Sequence, residues 1–460
     1  MFCVGFGNMS KISEQLKNLQ LPQIDWNNVV KRQSEINRIG RQLSQLNELC
    51  SNNLVALSIS EKFRDYIKIV KESEGLTEKE FEKYEGTFPN SYFYQTTNWA
   101  HLKENNAWKA HYTAIKEKDK VVGIGMLLEK KLFLNKSLFY LPRGFLTDYK
   151  NTKYLKFYTE SLKEYVKNNN GIFFKIDPLI WYKERDNTAN IVEGGIDNEN
   201  IVNDLKKMGY IHKGFTKGYT DEYQARWSYA LNIKDKTFEE IFSNMHERAK
   251  RSIKKYQKYP LISKFLTSKN IDDFFELTEH TCKRQKQSNR TKKYYQKIYD
   301  VFSKNEDVKI LVIYLNKKEY LDKFDEKDPS YSLVLEDKRE EIPLAGGLFI
   351  CHAKTVNYVY GCAYQDYMKI MAQYKVQCDM IKYAIENKYE TYDFGGITGN
   401  FDPESHAYGI YGFKRGFAGY VIEYIGEFDY PVNKFYYFLY KILYRGYELM
   451  KKIRQKKIKE

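Results

Sequence analysis

Hydrophobic spacing changes character along this chain. Between residues 25 and 50, Val29, Ile36, Leu43 and Cys50 recur at heptad spacing, with Ile39 and Leu46 between them. That pattern predicts a helix with one apolar seam, interrupted at Gly40. A second amphipathic run places Phe63, Ile67 and Val70 on one face and stops at Gly75. Residues 1–74 are therefore expected to form a helical hairpin appended to the main body.

From about residue 92 the pattern turns to strands and helices in alternation. "VVGIGMLLEKKLF" and "SLFYLP" read as strands, "RGFLTDYKN" as a loop, and "IFFKIDP" as a buried strand. Between loop and strand, "TKYLKFYTESLKEYVKNNNG" sets Tyr154, Phe157, Tyr158, Leu162 and Val166 at helical spacing. The same order returns as "TVNYVYGC", "AYQDYMKI", "MAQYKVQCDMIKYAIENK" and "YETYDFGG". Tyr140 and Lys175 in the first unit correspond in place to Tyr360 and Asp393 in the second. Two copies of one strand–loop–helix–strand unit imply an internal duplication and an α+β fold of two similar domains. The expected domains are residues 75–235 and 236–430, with 431–460 as a C-terminal helix and basic tail.

Three further segments carry expectations. "IFSNMHERAKRSIKKYQKYP" predicts one amphipathic helix, with Phe242, Met245, Ala249 and Ile253 inside. Arg248, Lys250, Arg251, Lys254, Lys255 and Lys258 crowd its other faces. "DKFDEKDPSYSLVLEDKREE" reads as a loop. "YGIYGFKRGFAGYVIEYIGEF", from Tyr408 to Phe428, reads as strand relieved by Gly409, Gly412, Gly416 and Gly419, with Lys414–Arg415 in its middle.

Composition narrows the partners. The formal net charge of +15 over 460 residues favours nucleic acid, an anionic membrane surface or a phosphorylated ligand. Six scattered cysteines without a CxxC pair argue against a zinc ribbon or a disulfide scaffold and fit a reducing cytosol. The N-terminus does not read as a signal peptide, and no apolar run is long enough to span a membrane. Neither HExxH nor GxxxxGKS occurs, and none of the seven histidines sits in a nucleophile motif. No metal and no cofactor is expected.

The candidate chemistry lies in three places. In "YLPRGFLTDY", Arg143 and Asp148 follow a strand end, where ligands bind in open α/β sheets. Arg143 can fork onto an anion and Asp148 can hold or deprotonate an amine; equally, the two can pair and fix the loop. The basic helix is either a solvated face or a phosphate-binding one. Lys414 among aromatics can meet phosphate or an oxyanion, or simply decorate a twisted strand pair.

Taken together, "YFYQTTNWAHLKENNAWK", "YLPRGFLTDY", "FFKIDP", "RAKRSIKKYQKY", "IPLAGGLFI", "YDFGGITG" and "YGIYGFKRGFAGYVIEYIGEFDYPVNK" resemble, in order, the Fem family of non-ribosomal peptidyltransferases (FemA, FemB and FemX). The resemblance spans about residues 76–445. It implies two tandem acetyltransferase-like (GNAT) subdomains and a metal-free aminoacyl transfer from aminoacyl-tRNA. The acceptor it implies is an amine on the stem peptide of a peptidoglycan precursor, either lipid II or UDP-MurNAc-pentapeptide. A cytoplasmic enzyme follows, with peripheral contact at the inner face of the membrane. By the same resemblance Lys109 and Arg251 match phosphate-holding positions. Asp148 matches the acidic residue of the PRG motif, and Lys414 matches the lysine near the donor's terminal phosphate or the reacting carbonyl. Tyr411 and Phe413 would shape that cleft. The segment before "IPLAGG" is too short for the coiled-coil arm of members acting on lipid-linked precursor, so the N-terminal hairpin is the candidate substitute. A CoA-dependent GNAT acyltransferase is the alternative, but its R/QxxGxG loop precedes neither repeat helix.

Overall fold

The alternating runs pair first with their neighbours. The computed structural model describes residues 76–457 except 105–106, 118–119, 219–222 and 406–407, with backbone alone from 447 onward. The expected N-terminal hairpin lies outside the described residues. Two helices, α1 (Glu78–Glu82) and α2 (Thr97–Glu104), lead into a meander of β1 (Lys109–Glu117), β2 (Lys120–Lys131) and β3 (Ser137–Leu141), with the short β4 (Leu146–Thr147) beside β2. Helix α3 (Thr152–Asn168) is capped by the Asn151 side chain and buries Tyr158, Leu162 and Val166 as expected, with Leu155 in place of Phe157, which is exposed, and Tyr154, which is half-buried. It returns the chain to β5 (Gly171–Ile176), which lies parallel to β3. Then come β6 (Trp181–Glu184), α4 (Glu199–Lys207), β7 (Ile211–His212) and β8 (Trp227–Asn232).

The second half repeats this grammar at greater length. It runs through α5 (Phe238–Asn244), α6 (Glu247–Tyr256), β9 (Leu261–Leu266), α7 (Asp272–Gln285), α8 (Lys292–Phe302) and β10 (Val308–Asn316). Then follow α9 (Lys317–Lys323), α10 (Tyr331–Glu336), β11 (Glu341–His352) and β12 (Thr355–Ala363). Helix α11 (Ala372–Glu386) crosses to β13 (Thr391–Ile397), again parallel to its predecessor. The chain closes with α12 (Tyr408–Arg415), β14 (Tyr420–Tyr424), β15 (Phe428–Pro431) and α13 (Lys434–Lys457). Each half thus contributes one parallel pair, β3 with β5 and β12 with β13, and the α+β duplication holds.

The sheets exchange strands across residue 235. The first has the order β1-β2-β3-β5-β15-β7, so β15 comes from the far end of the sequence. The second has the order β6-β14-β8-β13-β12-β11-β10-β9, so β6 and β8 come from the first half. One apolar cluster also runs through both halves, joining Ile124, Met126 and Leu138 to Ile310, Val312 and Leu348.

Several local expectations change. The single basic helix is two, because Met245 adopts extended backbone between α5 and α6; Met245, Ala249 and Ile253 are nonetheless buried as expected. The polar segment before β11, expected as a loop, takes in the last two residues of α9 and contains α10, held by the buried Val334. The stretch from Tyr408 begins as a helix, not a strand, because its buried residues Tyr411 and Lys414 lie three apart. Only from Tyr420 is it a strand. The register in the second parallel pair also differs: Lys175 faces Tyr140, but Asp393 faces Asn357 rather than Tyr360.

Candidate active site

The C-terminal ends of the two parallel pairs carry the buried charge. After β3 the chain turns at Arg143, a non-glycine residue in the left-handed region at φ 61°. Asp177, the first residue beyond β5, holds that turn. Its Oδ1 accepts the Arg143 backbone N–H at 2.8 Å, and its other oxygen lies 3.7 Å from the guanidinium. Arg143 also donates to the Ala225 carbonyl at 3.3 Å and lies over the ring of Tyr424. Burial pushes the Asp177 carboxyl up to about 7, with Arg143 pulling against the shift. Of the two alternatives for this loop, the Arg143–Asp148 pair is not formed. Asp148 is exposed, accepts the Lys150 N–H at 2.9 Å and lines a separate groove of about 530 Å³ with Tyr149, Leu179 and Trp181.

In the second half the parallel ladder stops at Asn357–Asp393. Just beyond it, the carbonyls of Gly395 and Gly396 both accept from Lys414 Nζ at 2.9 Å. Gly395 has φ 77°, and a Cβ there would lie 2.9 Å from the Tyr358 carbonyl. Asp393 Oδ1 accepts from Ser228 Oγ and from the Gly395 N–H, each at 2.7 Å. Lys414 is almost wholly buried, and that burial lowers its pKa to about 7, against the pull of Asp393. An ammonium has three donors. Two are spent on carbonyls, which leaves one for a developing oxyanion or a phosphate.

Tyrosines join the two ends. Tyr92, Tyr94 and Tyr424 each sit within electrostatic reach of both Arg143 and Asp393. Burial raises the pKa of all three, so they stay neutral hydrogen-bonding groups. Arg143, Asp177, Asp393 and Lys414 are thus all buried, and the three tyrosines neighbour both the Arg143 end and the Asp393 end.

The remaining expected residues spread outward. Tyr140 is buried against Tyr223, with ring centroids 4.6 Å apart. Tyr411 is buried and donates to the Asn187 carbonyl at 2.8 Å, while Phe413 packs on Tyr374 and Phe417. Both support α12 from the core side. The basic helix α6 abuts the lysine motif: the His246 N–H donates to the Gly416 carbonyl at 3.0 Å. Arg248 and Arg251 are exposed there, and Lys250 is tied to Glu247 at 3.0 Å. Gly416 and Gly419 of the motif serve packing, whereas Gly409 faces open space. A Cβ on Gly419 would sit 2.0 Å from the Ala230 carbonyl, and one on Gly416 would press on Ala249.

Lys109 opens the edge strand β1 and is exposed; no described contact links it to α6. A different lysine is half-buried beside a second cation. Lys103 of α2 lies over Trp99 at 4.3 Å and beside Arg290, which lies over Tyr294. Burial and Arg290 together lower the Lys103 pKa to about 8. Among the described residues no carboxylate pairs with either cation. Tyr360 neighbours Arg290 and Tyr294, and also Tyr94 of the buried tyrosine group. Lys175 proves structural: buried between Glu427 at 2.7 Å and Asp429 at 2.9 Å, it fastens β5 to β15.

Comparison with known proteins agrees with this layout. The FemAB family matches residues 76–332 and 331–445. The chain is 28% identical over 414 residues to the aminoacyltransferase FemA of Staphylococcus epidermidis, covering 80% of this chain and 98% of that protein. To FemA of Staphylococcus aureus it is 28% identical over 424 residues, covering 83% and 98%. A crystal structure of FemX superposes with a TM-score of 0.68 at 26% identity, covering 79% of this chain and 98% of that one. Matched through both of its halves, the chain belongs to the FemAB family.

Proposed function

We infer that this chain transfers an amino acid from aminoacyl-tRNA to an amine on the stem peptide of a peptidoglycan precursor. The observation that carries the reading is the placement of Lys414, buried beside the open end of a parallel pair and flanked by cationic surfaces. The acceptor nitrogen attacks the ester carbonyl carbon. The C–N bond forms, the ester C–O bond breaks, and the ribose hydroxyl departs with a proton. Lys414 stabilises the oxyanion or the departing oxygen. Arg143 and Asp177 set the turn that shapes the acceptor side. Asp148, in its own groove, is proposed to bind the incoming amine rather than to act beside Lys414.

The test is direct. The protein is incubated with charged tRNA and either UDP-MurNAc-pentapeptide or lipid II, and the peptide is weighed. A gain of one aminoacyl residue is expected; no gain with glycyl-, alanyl- or seryl-tRNA, alongside acetyl-CoA turnover, would replace this reading with the CoA-dependent one.

Lys103 and Arg290 are the proposed seat for the acceptor's phosphates, in place of Lys109. Lys103→Ala with Arg290→Ala should raise KM for the UDP-linked acceptor by at least about tenfold, since charge-assisted hydrogen bonds contribute roughly 1.5–3 kcal/mol each. Lys109→Ala should leave KM within about twofold, as expected for a solvated surface cation. The exposed Arg248 and Arg251 are the proposed tRNA contacts. Replacing both with alanine should reduce the log–log salt slope of tRNA binding by about 1–2, measured by filter binding. The proposed setting is the cytoplasm, and with a lipid-linked acceptor the inner face of the membrane.

A further inference from the structure

Helix α13 has two different faces. Tyr437 and Tyr440 pack on Phe173 of β5, with ring centroids 5.2 and 4.9 Å away. Tyr437 also donates to Asp429 at 2.8 Å. These residues dock the helix on the first sheet. Phe435, Phe438 and Ile442 recur at i, i+3 and i+7 on another face, and with Leu443 each is half exposed or more. Phe435 alone is 70% exposed. An aliphatic and aromatic stripe of this length is not left in water without a purpose.

A second element meets it. The turn between β2 and β3 carries Leu134, 72% exposed, at φ 50°, a backbone conformation in which glycine or asparagine is ordinarily found. A leucine there gives up turn stability in order to present an apolar tip. Lys136 of the same turn lies over the ring of Tyr436 at 5.1 Å, so tip and helix form one surface.

Charge decides what that surface fits. Lys434, Lys441 and Arg445 are exposed along α13, and Lys130 and Lys131 flank the turn. No acidic residue occurs between Lys434 and Gly446, and the helix backbone continues through "KKIRQKK" to Lys457. Apolar side chains bordered by cations match an anionic bilayer surface, where the chains enter the acyl boundary and the cations meet phosphates. No described helix is long and apolar enough to cross a membrane.

We propose that α13 and the Leu134 turn form a docking surface for an anionic phospholipid bilayer, with the helix lying in the interface plane. This rests on the enzyme working at the inner membrane face but not on the transfer reaction. Vesicle binding is scored without donor or acceptor, so either reading can fail alone.

The full chain is sedimented with phosphatidylglycerol/phosphatidylethanolamine vesicles and with phosphatidylcholine vesicles. Binding is expected to the anionic vesicles only, and to weaken with salt. Phe438→Glu with Ile442→Glu should lower the bound fraction at least tenfold, and Leu134→Asp severalfold, while melting temperature and transfer to the soluble UDP-linked acceptor stay unchanged. The proposal is overturned by a wild-type chain that remains in the supernatant, or by variants that bind as wild type does. It is equally overturned by a vesicle-free dimer that Phe438→Glu/Ile442→Glu dissociates, since a second copy would then be the occupant.

Discussion

Lys414→Met is expected to cut turnover at least tenfold, about 1.4 kcal/mol of transition-state stabilisation, in a single-turnover transfer assay. The same variant should change the pH dependence of stability. A lysine whose folded pKa is about 7 disfavours its proton in the native state. The unfolded chain holds that proton up to the ordinary lysine value of 10.5. The cost of burying the charge is therefore fully present below pH 7 and disappears as pH rises toward that value. Wild-type stability should gain on that of Lys414→Met by about 4 kcal/mol between pH 7 and pH 10, read from urea denaturation at each pH. A constant difference across that range would mean that the amine is not buried as described. Methionine also strands the Gly395 and Gly396 carbonyls, so the absolute order of stability at pH 7 is not the diagnostic quantity.

Arg143→Met should be the most destabilising change among these buried charged groups, by about 3–5 kcal/mol at pH 8, because it leaves Asp177 buried without a countercharge. The burial cost behind this loss runs the other way with pH from that of Lys414, because the buried group is an acid. Asp177 already titrates at about 7, far above an ordinary aspartate, and loses the support of the Arg143 guanidinium in the variant. A carboxyl raised in the folded state is best tolerated at pH values where it is protonated. The loss caused by Arg143→Met should therefore shrink as pH falls toward 5.5 and grow as it rises. Adding Asp177→Asn should recover part of the stability at pH 8. A loss independent of pH would instead point to the strained turn at Arg143 as the cause.

The repeat was legible because its signal is local. Helical spacing between two apolar strands survives in α3 and α11 whatever surrounds them. The strand exchange was not, because the sheet that a four- to six-residue strand such as β6 or β8 joins is decided by long-range pairing. Lys414 was legible as a cation among aromatics, and Asp148 as an acid after a strand, but their separation is a matter of three dimensions. Asp177 stood at the end of "FFKIDP", where only the strand was read; an acid just past a buried strand was the available signal. Lys103 and Lys109 stand six residues apart and differ only in three dimensions: α2 sets the first against Trp99 and Tyr294, while the second falls on an edge strand. The helix α12 was hidden by its glycines, which disfavour a helix, and its aromatic residues, which favour a strand, until tertiary packing overrides both.

Strand exchange between the sheets also has a mechanical consequence. Swinging the halves apart would tear β15 from β5 or β14 from β8, both hydrogen-bonded along their length. A clamshell motion would thus break sheet ladders instead of bending a linker. Two bulky substrates must be threaded into a rigid frame, and any gating falls to side chains and loops at its mouths.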